Sequence, residues 1–292
     1  AFALLLACGA GAAYFGTRLP SSFLPDEDQG YMFLNLQLPS AASLQRTEAT
    51  AREIEDILAQ TPGVESTSSV VGFNLLSLTR SSYNAFFFVT LKEWGERQTR
   101  EEQYQSIRQS VNQKLSALRQ GIAFSFSPPA IPGVGTSGGF TFILEDRSGG
   151  DVAFLANNTN MFLAAARQRP ELAAVNTTLL PNVPQQFIAV DREKVLKQGL
   201  DIKDVYRTIQ AFMGGSFINY FNRFGRQWQV FVQAEGEFRT KAENVGLFHV
   251  RNSANEMVPL STVTSVQTRP GPEFTIRFNL YRAAQVNAAA AP

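Results

Sequence analysis

Apolar and polar residues alternate along Tyr31–Leu38, which is the pattern of a strand with two unlike faces. One set of alternate positions is uniformly apolar: Met32, Leu34, Leu36 and Leu38. The other set mixes aromatic and amide side chains: Tyr31, Phe33, Asn35 and Gln37. Because successive side chains of a strand point to opposite faces, we expect the first set in a core. The second set has the composition of a binding face.

The rest of the chain is organised around the stretch Val70–Phe88. An apolar strand runs into an apolar segment, Phe73–Tyr83, and a second strand then carries Phe86, Phe87 and Phe88. Phe86 and Phe88 share one face of that strand, and Phe87 takes the other. These residues alone allow two interpretations, because the stretch could line an apolar pocket or form a hairpin that feeds a single core.

Two predicted helices interleave with the strands. Ser43 is a candidate N-cap for the first helix, which ends before Pro62. Thr99 and Glu102 form a capping box before the second helix, which stops at Gly121. The remaining strands are predicted at Val64–Val71, Asn84–Leu91 and Ile122–Ser127. The order is βαββαβ, with both helices on one sheet face. The other face must meet another domain, a subunit or a ligand.

A second βαβ pattern follows the first. It has a strand at Gly139–Asp146, a helix capped by Asp151 and a strand at Leu172–Thr178. Residues 179–273 change to short helices and strand-rich sequence, and we interpret them as a domain inserted before the strand pattern resumes at Phe274. The predicted fold class is α+β, with tandem ferredoxin-like βαβ subdomains and an inserted mixed α/β domain.

The first 15 residues are apolar and carry no charge. A complete membrane span needs about 20 such residues. We therefore interpret residues 1–17 as the C-terminal part of a transmembrane helix and the chain as a fragment. The lack of Lys and Arg just beyond Arg18 favours a non-cytoplasmic location for the residues that follow.

The composition excludes several classes of function. Lys and Arg number 26 against 25 Asp and Glu, so no basic field points to nucleic acid. The single cysteine, Cys8, excludes an internal disulfide framework. With His249 as the one histidine, no Cys/His set is available for zinc or for a nucleophile. The sequence predicts neither catalysis nor a cofactor.

Two motifs suggest ligands but are better explained otherwise. The acidic run Asp26–Asp28 is interpreted as a solvated turn rather than a metal cluster. The GxGxxG motif at Gly133–Gly138 follows prolines and runs into a strand, whereas a dinucleotide loop follows a strand and opens a helix. We interpret it as a hinge.

Several segments, taken in order, resemble the RND (resistance-nodulation-division) multidrug efflux transporters of the AcrB/MexB type. Residues 19–30, LPSSFLPDEDQG, resemble the family's segment leaving its seventh transmembrane helix. Further matching motifs are QLP (37–39), VGF (71–73), LKEW (91–94), FSFSPPAI (124–131), GGFTF (138–142), GGSFINYF (214–221), VFVQAE (230–235) and MVPLS (257–261). The resemblance covers nearly everything from Arg18 to Asn279, and its length makes it far more specific than any single motif.

The resemblance implies a transporter rather than an enzyme: a proton-driven pump of the bacterial inner membrane that exports hydrophobic or amphiphilic drugs. It implies a homotrimer with a periplasmic adaptor protein and an outer-membrane channel as partners, and no cofactor or metal. On this template residues 24–133 form one porter subdomain, and residues 134–178 with 274–292 form part of the next. Residues 179–273 correspond to a docking domain. This portion would lie in the periplasm.

The resemblance also implies which residues bind the drug. Deep-pocket positions are matched by Val70, Phe73, Phe86 and Phe88, while Ser68 and Leu75 stand where many relatives have phenylalanine. Arg80 corresponds to a family arginine. Outer-pocket positions are matched by Phe33, Asn35, Gln37, Phe124, Phe126 and Pro128. Gly133 and Asn176 replace charged residues common in that pocket.

Two other hypotheses stay open at this stage. One is an RND-related exporter of other substrates, such as heavy metals or lipids, although the four methionines form no cluster that would suit a metal. The other is a binding or assembly module with paired ferredoxin-like domains and no role in transport. Intramembrane acids and a base in the neighbouring sequence would identify a transporter.

Overall fold

The computed structural model describes residues 2–18, 27–131 and 138–291. Gly133, most of the GxGxxG motif and Asp26 lie outside the described residues. The chain divides into two compact units, Ala1–Leu180 with Phe274–Pro292 and Pro181–Glu273. Several antiparallel sheets and six α-helices within the described residues give a mixed α+β fold.

The helices are α1 (Phe2–Arg18), α2 (Leu44–Ala59), α3 (Tyr104–Leu115), α4 (Val152–Ala166), α5 (Arg192–Lys197) and α6 (Ile202–Ile209). The strands are β1 (Tyr31–Gln37), β2 (Val64–Asn74), β3 (Thr79–Leu91), β4 (Ile122–Phe126), β5 (Phe140–Asp146), β6 (Leu172–Thr177), β7 (Val183–Val190), β8 (Ser216–Arg223), β9 (Arg226–Val232), β10 (His249–Arg251), β11 (Met257–Pro259), β12 (Thr264–Gly271), β13 (Ile276–Phe278) and β14 (Tyr281–Ala290). Short 3-10 helices cover Arg100–Glu102, Gly236–Arg239, Ala242–Leu247 and Leu260–Thr262, and a π-helical turn covers Gln210–Gly214.

The apolar start of the chain forms α1. Among the described residues, no helix combines the length and the apolar character needed to cross a membrane. The assignment of residues 1–17 to part of a transmembrane helix stays a prediction.

The first sheet has the strand order β2-β3-β1-β4, and all its neighbouring strands are antiparallel. With α2 and α3 inserted, the elements follow the βαββαβ order predicted from the sequence. Ser43 caps α2, since its side chain accepts a hydrogen bond from the Arg46 amide. The buried side chains of α2 pack with the fully buried Met32, Leu34 and Phe87 of the sheet. This is one face of the sheet.

The second helix ends earlier than the sequence predicts, at Leu115 rather than near Gly121. Thr99 and Glu102 do form a capping box, but it encloses the 3-10 turn Arg100–Glu102. Helix α3 begins afterwards at Tyr104 and ends at Leu115. The capping hydrogen bonds satisfy the first amides, and the chain then turns again before the apolar stripe of α3 meets the sheet.

The predicted apolar loop Phe73–Tyr83 is wrong in extent. Strand β2 continues to Asn74 and β3 begins at Thr79, so the stretch is a hairpin with a turn of only four residues, 75–78. The turn is held by Asn74, whose Oδ1 accepts hydrogen bonds from the amides of Leu76 and Ser77 at 2.9 and 3.3 Å. An asparagine that bonds the backbone two or three residues ahead closes a turn in this way.

The second sheet of this unit is organised around β14. Strand β14 pairs with β5 on one side, and with β13 and β6 on the other. Helix α4 is capped by Asp151, as predicted, and contributes Leu163 and Ala166 to a small core with Val286. The strand that resumes after Phe274 therefore completes the sheet begun by β5.

The unit Pro181–Glu273 has its own core. Buried side chains from its helices and strands meet there: Val195, Leu200, Val205, Val245, Val250, Val258, Leu260 and Val263. Its sheets are the antiparallel pairs β7–β12, β8–β9 and β10–β11. Strand β12 falls in residues to which the sequence analysis assigned no strand, because its alternation is interrupted by Arg269 and Pro270.

Candidate functional site

The strand register brings most of the predicted binding residues onto one sheet face. On this face Phe33 of β1 lies opposite Phe88 of β3 and Phe126 of β4. Asn35, two residues further along β1, lies opposite Phe86 and Phe124. Directly opposed residues of antiparallel strands point to the same side. We call these six residues, Phe33, Asn35, Phe86, Phe88, Phe124 and Phe126, the aromatic face.

The rings of the aromatic face contact one another edge to face. The ring centroid of Phe33 lies 5.2 Å from that of Phe86, 5.1 Å from that of Phe88 and 5.8 Å from that of Phe126. Phe86 and Phe88 are 4.9 Å apart. Such geometry places the positive edge of one ring against the negative face of the next and stabilises each pair by about 0.5–1.5 kcal/mol. The cluster is a preformed aromatic surface.

Exposure divides the aromatic face into a floor and a rim. Phe86, Asn35 and Phe33 form the floor, with 1%, 2% and 8% of their surface exposed. Phe88 is 45% exposed. Phe124 and Phe126 are half-buried, and together with Phe88 they form the rim. Among the described residues, α2 and α3 lie on the opposite face, because Glu55 of α2 bonds Ser69 and Asn112 of α3 bonds Ser125 there.

Strand β2 extends the site beside β3. Ser68 lies opposite Phe88, and Val70 lies opposite Phe86. Both side chains are exposed, Val70 by 45%. Ser68 therefore places only a small hydroxyl opposite the ring of Phe88. Gln37, at the other end of β1, is half-buried and lies opposite Asn84.

The hairpin tip holds three further predicted residues but does not bring them into the ring cluster. Phe73 lies opposite Arg80 in the β2–β3 ladder, and Leu75 is in the turn. Among the described residues, no ring contact joins Phe73 to the aromatic face. Arg80 is exposed, whereas Phe73 and Leu75 are half-buried. These residues border the site along its hairpin side.

Three other predicted residues stand apart. Pro128 is buried just after β4. Asn176 lies on β6 in the second sheet, opposite Asn287, where its amide donates a hydrogen bond to the Ala174 carbonyl at 2.9 Å. Gly133 lies outside the described residues.

The sequence analysis did not select a second aromatic pair that the structure exposes. Phe140 and Phe142 of β5 are 37% and 47% exposed, with ring centroids 5.2 Å apart. Phe162 of α4 lies 6.0 Å from Phe142. The alternation in GGFTF, which places both rings on one side of the strand, is the signal that could have identified them.

The acidic turn is not simply solvated, which corrects that expectation. Asp28 Oδ2 lies 2.7 Å from Nη2 of Arg97, whose side chain is 2% exposed. The Arg97 Nε donates to the Lys92 carbonyl at 2.8 Å, and Asp28 Oδ1 accepts from the Gly30 amide at 3.0 Å. The contact holds the residues before β1 against the end of β3. Within the described residues, no group of His, Cys, Asp and Glu side chains could hold a metal ion.

Comparison with known proteins identifies the class of this chain. A model of the AcrB/AcrD/AcrF family matches residues 1–292. The chain therefore belongs to this family of RND efflux transporters.

Three relatives illustrate the similarity. The toluene efflux pump membrane transporter TtgB of Pseudomonas putida is 33% identical over 294 residues, which cover 100% of this chain and 27% of that protein. The multidrug export protein AcrF of Escherichia coli is 34% identical over 286 residues, covering 97% of this chain and 28% of that protein. The solvent-resistant pump membrane transporter SrpB of Pseudomonas putida is 36% identical over 262 residues, which cover 89% of this chain and 25% of that protein. The chain spans about a quarter of the length of these relatives.

Proposed function

We propose that this chain is the periplasmic substrate-binding and channel-docking portion of a proton-driven multidrug efflux pump of the bacterial inner membrane. The pump is a homotrimer and works with a periplasmic adaptor protein and an outer-membrane channel. The chain carries no enzymatic activity. Family membership supports this proposal, and so do the names of the relatives, which describe pumps for toluene, solvents and multiple drugs.

The observation that carries the proposal is the position of Phe88. Its ring packs at 5.1 and 4.9 Å from two buried rings, yet it stays 45% exposed on the sheet face opposite the helices. A hydrophobic ring held rigid at such a rim offers binding surface to an apolar molecule with little further loss of conformational entropy. Cavities lined by aromatic side chains, with few polar groups, are typical of small-molecule sites.

The proposed roles follow the predicted boundaries. Residues 24–133 and residues 134–178 with 274–292 act as porter subdomains, and residues 179–273 act as the docking domain. The predicted binding residues on and beside the aromatic face contact the drug directly. Arg80, Leu75 and Phe73 act at its hairpin edge, and Pro128, Gly133 and Asn176 contribute to the outer pocket.

The test uses the complete transporter that contains these residues, produced in cells that lack other drug pumps. Phe88→Ala should lower export of large aromatic drugs about tenfold while the trimer is present in normal amount, since it removes ring surface from the rim. Phe154→Ala is the matched control, because Phe154 is 47% exposed on α4, away from this face. Unchanged drug export in Phe88→Ala would contradict the proposal, as would an equal loss in both variants.

A further inference from the structure

The floor of the aromatic face contains an unpaired polar atom. Asn35 is 2% exposed, and its side-chain Oδ1 has no hydrogen-bond partner among the described residues. The residues that surround it on the same face are Phe33 two positions before it, Phe86 and Phe124 directly opposite, and Gln37 two positions after it. An amide oxygen therefore lies among rings.

The position of this atom is unusual on energetic grounds. Buried side-chain polar atoms are nearly always hydrogen-bonded, and leaving one unpaired disfavours the folded state by about 1–3 kcal/mol. A leucine of similar size would fill the same place without that penalty. Asn84, the other asparagine on this face, shows the ordinary arrangement, since its amide donates to Ser81 and accepts from Asn74.

A ligand can relieve the penalty if it brings a donor. The rings of Phe88 and Phe124 are partly exposed beside Asn35 on the same sheet face, so a ligand that contacts these rings lies next to Asn35. An N–H group that reached Oδ1 would supply the hydrogen bond that no described residue provides. A cation placed over the face of an aromatic ring is attracted by the ring's quadrupole. A hydrocarbon would gain the ring contacts and leave the oxygen unpaired.

We propose that Asn35 is a specificity-determining residue that selects aromatic ligands carrying an ammonium or similar N–H donor over pure hydrocarbons. This inference rests on the proposed function, because it names the ligand class of the same site. Asn35 Oδ1 accepts the hydrogen bond, and Phe33, Phe86 and Phe88 contact the aromatic part.

The test compares three ligands that share one ring system. 2-Naphthylmethylammonium is a donor only, 2-acetylnaphthalene is an acceptor only, and 2-ethylnaphthalene is neither. Their export is measured in cells that produce the complete transporter as wild type, Asn35→Leu or Asn84→Leu, with the amount of transporter in the membrane measured alongside. Should Asn35→Leu be produced poorly, Asn35→Met, which also lacks the amide, takes its place.

The expected result is a selective loss. Asn35→Leu should lower export of the ammonium about tenfold and leave the ketone and hydrocarbon within about twofold of wild type. Asn84→Leu should lower export of all three ligands only in proportion to the amount of this variant in the membrane. The amide that it removes is already hydrogen-bonded to other side chains. Equal effects of Asn35→Leu on all three ligands, or none, would overturn the inference. A wild-type transporter that exports none of the three would count against the proposed function itself and overturn both.

Discussion

Phe86 and Phe88 pack against each other with their ring centroids 4.9 Å apart and their planes at 79°, yet 1% of Phe86 and 45% of Phe88 is exposed. The two residues lie two positions apart on the same strand face, but they differ in burial. Phe86 belongs to the interior, and Phe88 belongs to the exposed surface where we propose that a ligand binds.

This division predicts different effects of truncation. Phe86→Ala should destabilise the protein by about 3–5 kcal/mol, because it leaves a cavity under the other rings. Phe88→Ala should cost less than about 1.5 kcal/mol, because its ring is half in solvent already. Thermal unfolding of the purified transporter measures both. Equal losses of stability in the two variants would contradict the division.

Ser68→Phe should strengthen the site. The new ring would lie directly opposite Phe88 on β2, in an exposed position with room for it. A cross-strand aromatic pair contributes about 0.5–1 kcal/mol. We expect tighter binding of aromatic drugs, measured by fluorescence titration of the purified transporter. Ser66→Phe is the control on the same strand, since it lies opposite Thr90 rather than a ring. A gain of the same size in the control would refute the stacking explanation.

The ion pair between Asp28 and Arg97 should respond unequally to loss of each partner. Asp28→Asn keeps the acceptor for the Gly30 amide but leaves the guanidinium buried without a counter-charge, so we expect a loss of about 3–5 kcal/mol. Arg97→Met removes the buried charge and leaves a partly solvated carboxylate, so it should cost less.

Chemical denaturation of the single and double variants measures the coupling. The double variant Asp28→Asn with Arg97→Met should be more stable than Asp28→Asn alone. Arg52→Met is the control, because the Arg52–Glu48 pair is exposed and should contribute less than about 1 kcal/mol. If Arg97→Met proved the more damaging single change, burial of the guanidinium would not be the cause.

Leu280→Gly should stabilise the protein. Leu280 has φ 68° in the two-residue turn between β13 and β14 and is 87% exposed. A side chain in left-handed backbone is strained by about 1–2 kcal/mol, and glycine avoids most of that strain. The reverse change, Gly225→Ala, should destabilise by about 1 kcal/mol, because Gly225 has φ 69° with open space around a new Cβ. Melting temperatures that moved in the same direction for both would contradict this explanation.

The pH dependence of stability should involve Asp146. The Ser148 hydroxyl donates to Asp146 Oδ1 at 2.6 Å and holds the pKa of that carboxyl below its ordinary value, against the opposing effect of burial. A carboxyl whose pKa is lower in the folded state stabilises the fold above its unfolded pKa of about 3.9, and this contribution is lost as the pH falls through the folded pKa.

Ser148→Ala should raise the pKa of Asp146 and reduce this contribution. The difference in melting temperature between wild type and Ser148→Ala should therefore be larger near pH 7 than near about pH 3. Ser116→Ala is the control, since the Ser116 hydroxyl donates to the Gln113 carbonyl rather than to a carboxylate. A difference that stayed constant with pH would show that the serine acts independently of the Asp146 charge.

Local patterns anticipated several parts of the fold. The alternation in β1, the caps at Ser43 and Asp151 and the βαββαβ order depend on neighbouring residues, whose spacing is visible in the chain. The two predicted strands stopped at Val71 and resumed at Asn84, and the hairpin turn at 75–78 was missed because that turn is closed by Asn74 bonding forward to the backbone. Arg97 was missed as a partner of Asp28 because 69 positions separate them in the sequence.

The sequence by itself determined which side chains share a strand face, since alternation is a property of the extended backbone. It thereby placed Phe33 with Asn35 on one face of their strand, and Phe86 with Phe88 on one face of theirs, before the pairing of the two strands was known. Only the tertiary structure decided that Phe86 and Asn35 lie in the floor while Phe88 stays at the rim. That difference depends on which strands lie side by side and in which register, and so on contacts between residues far apart in the chain.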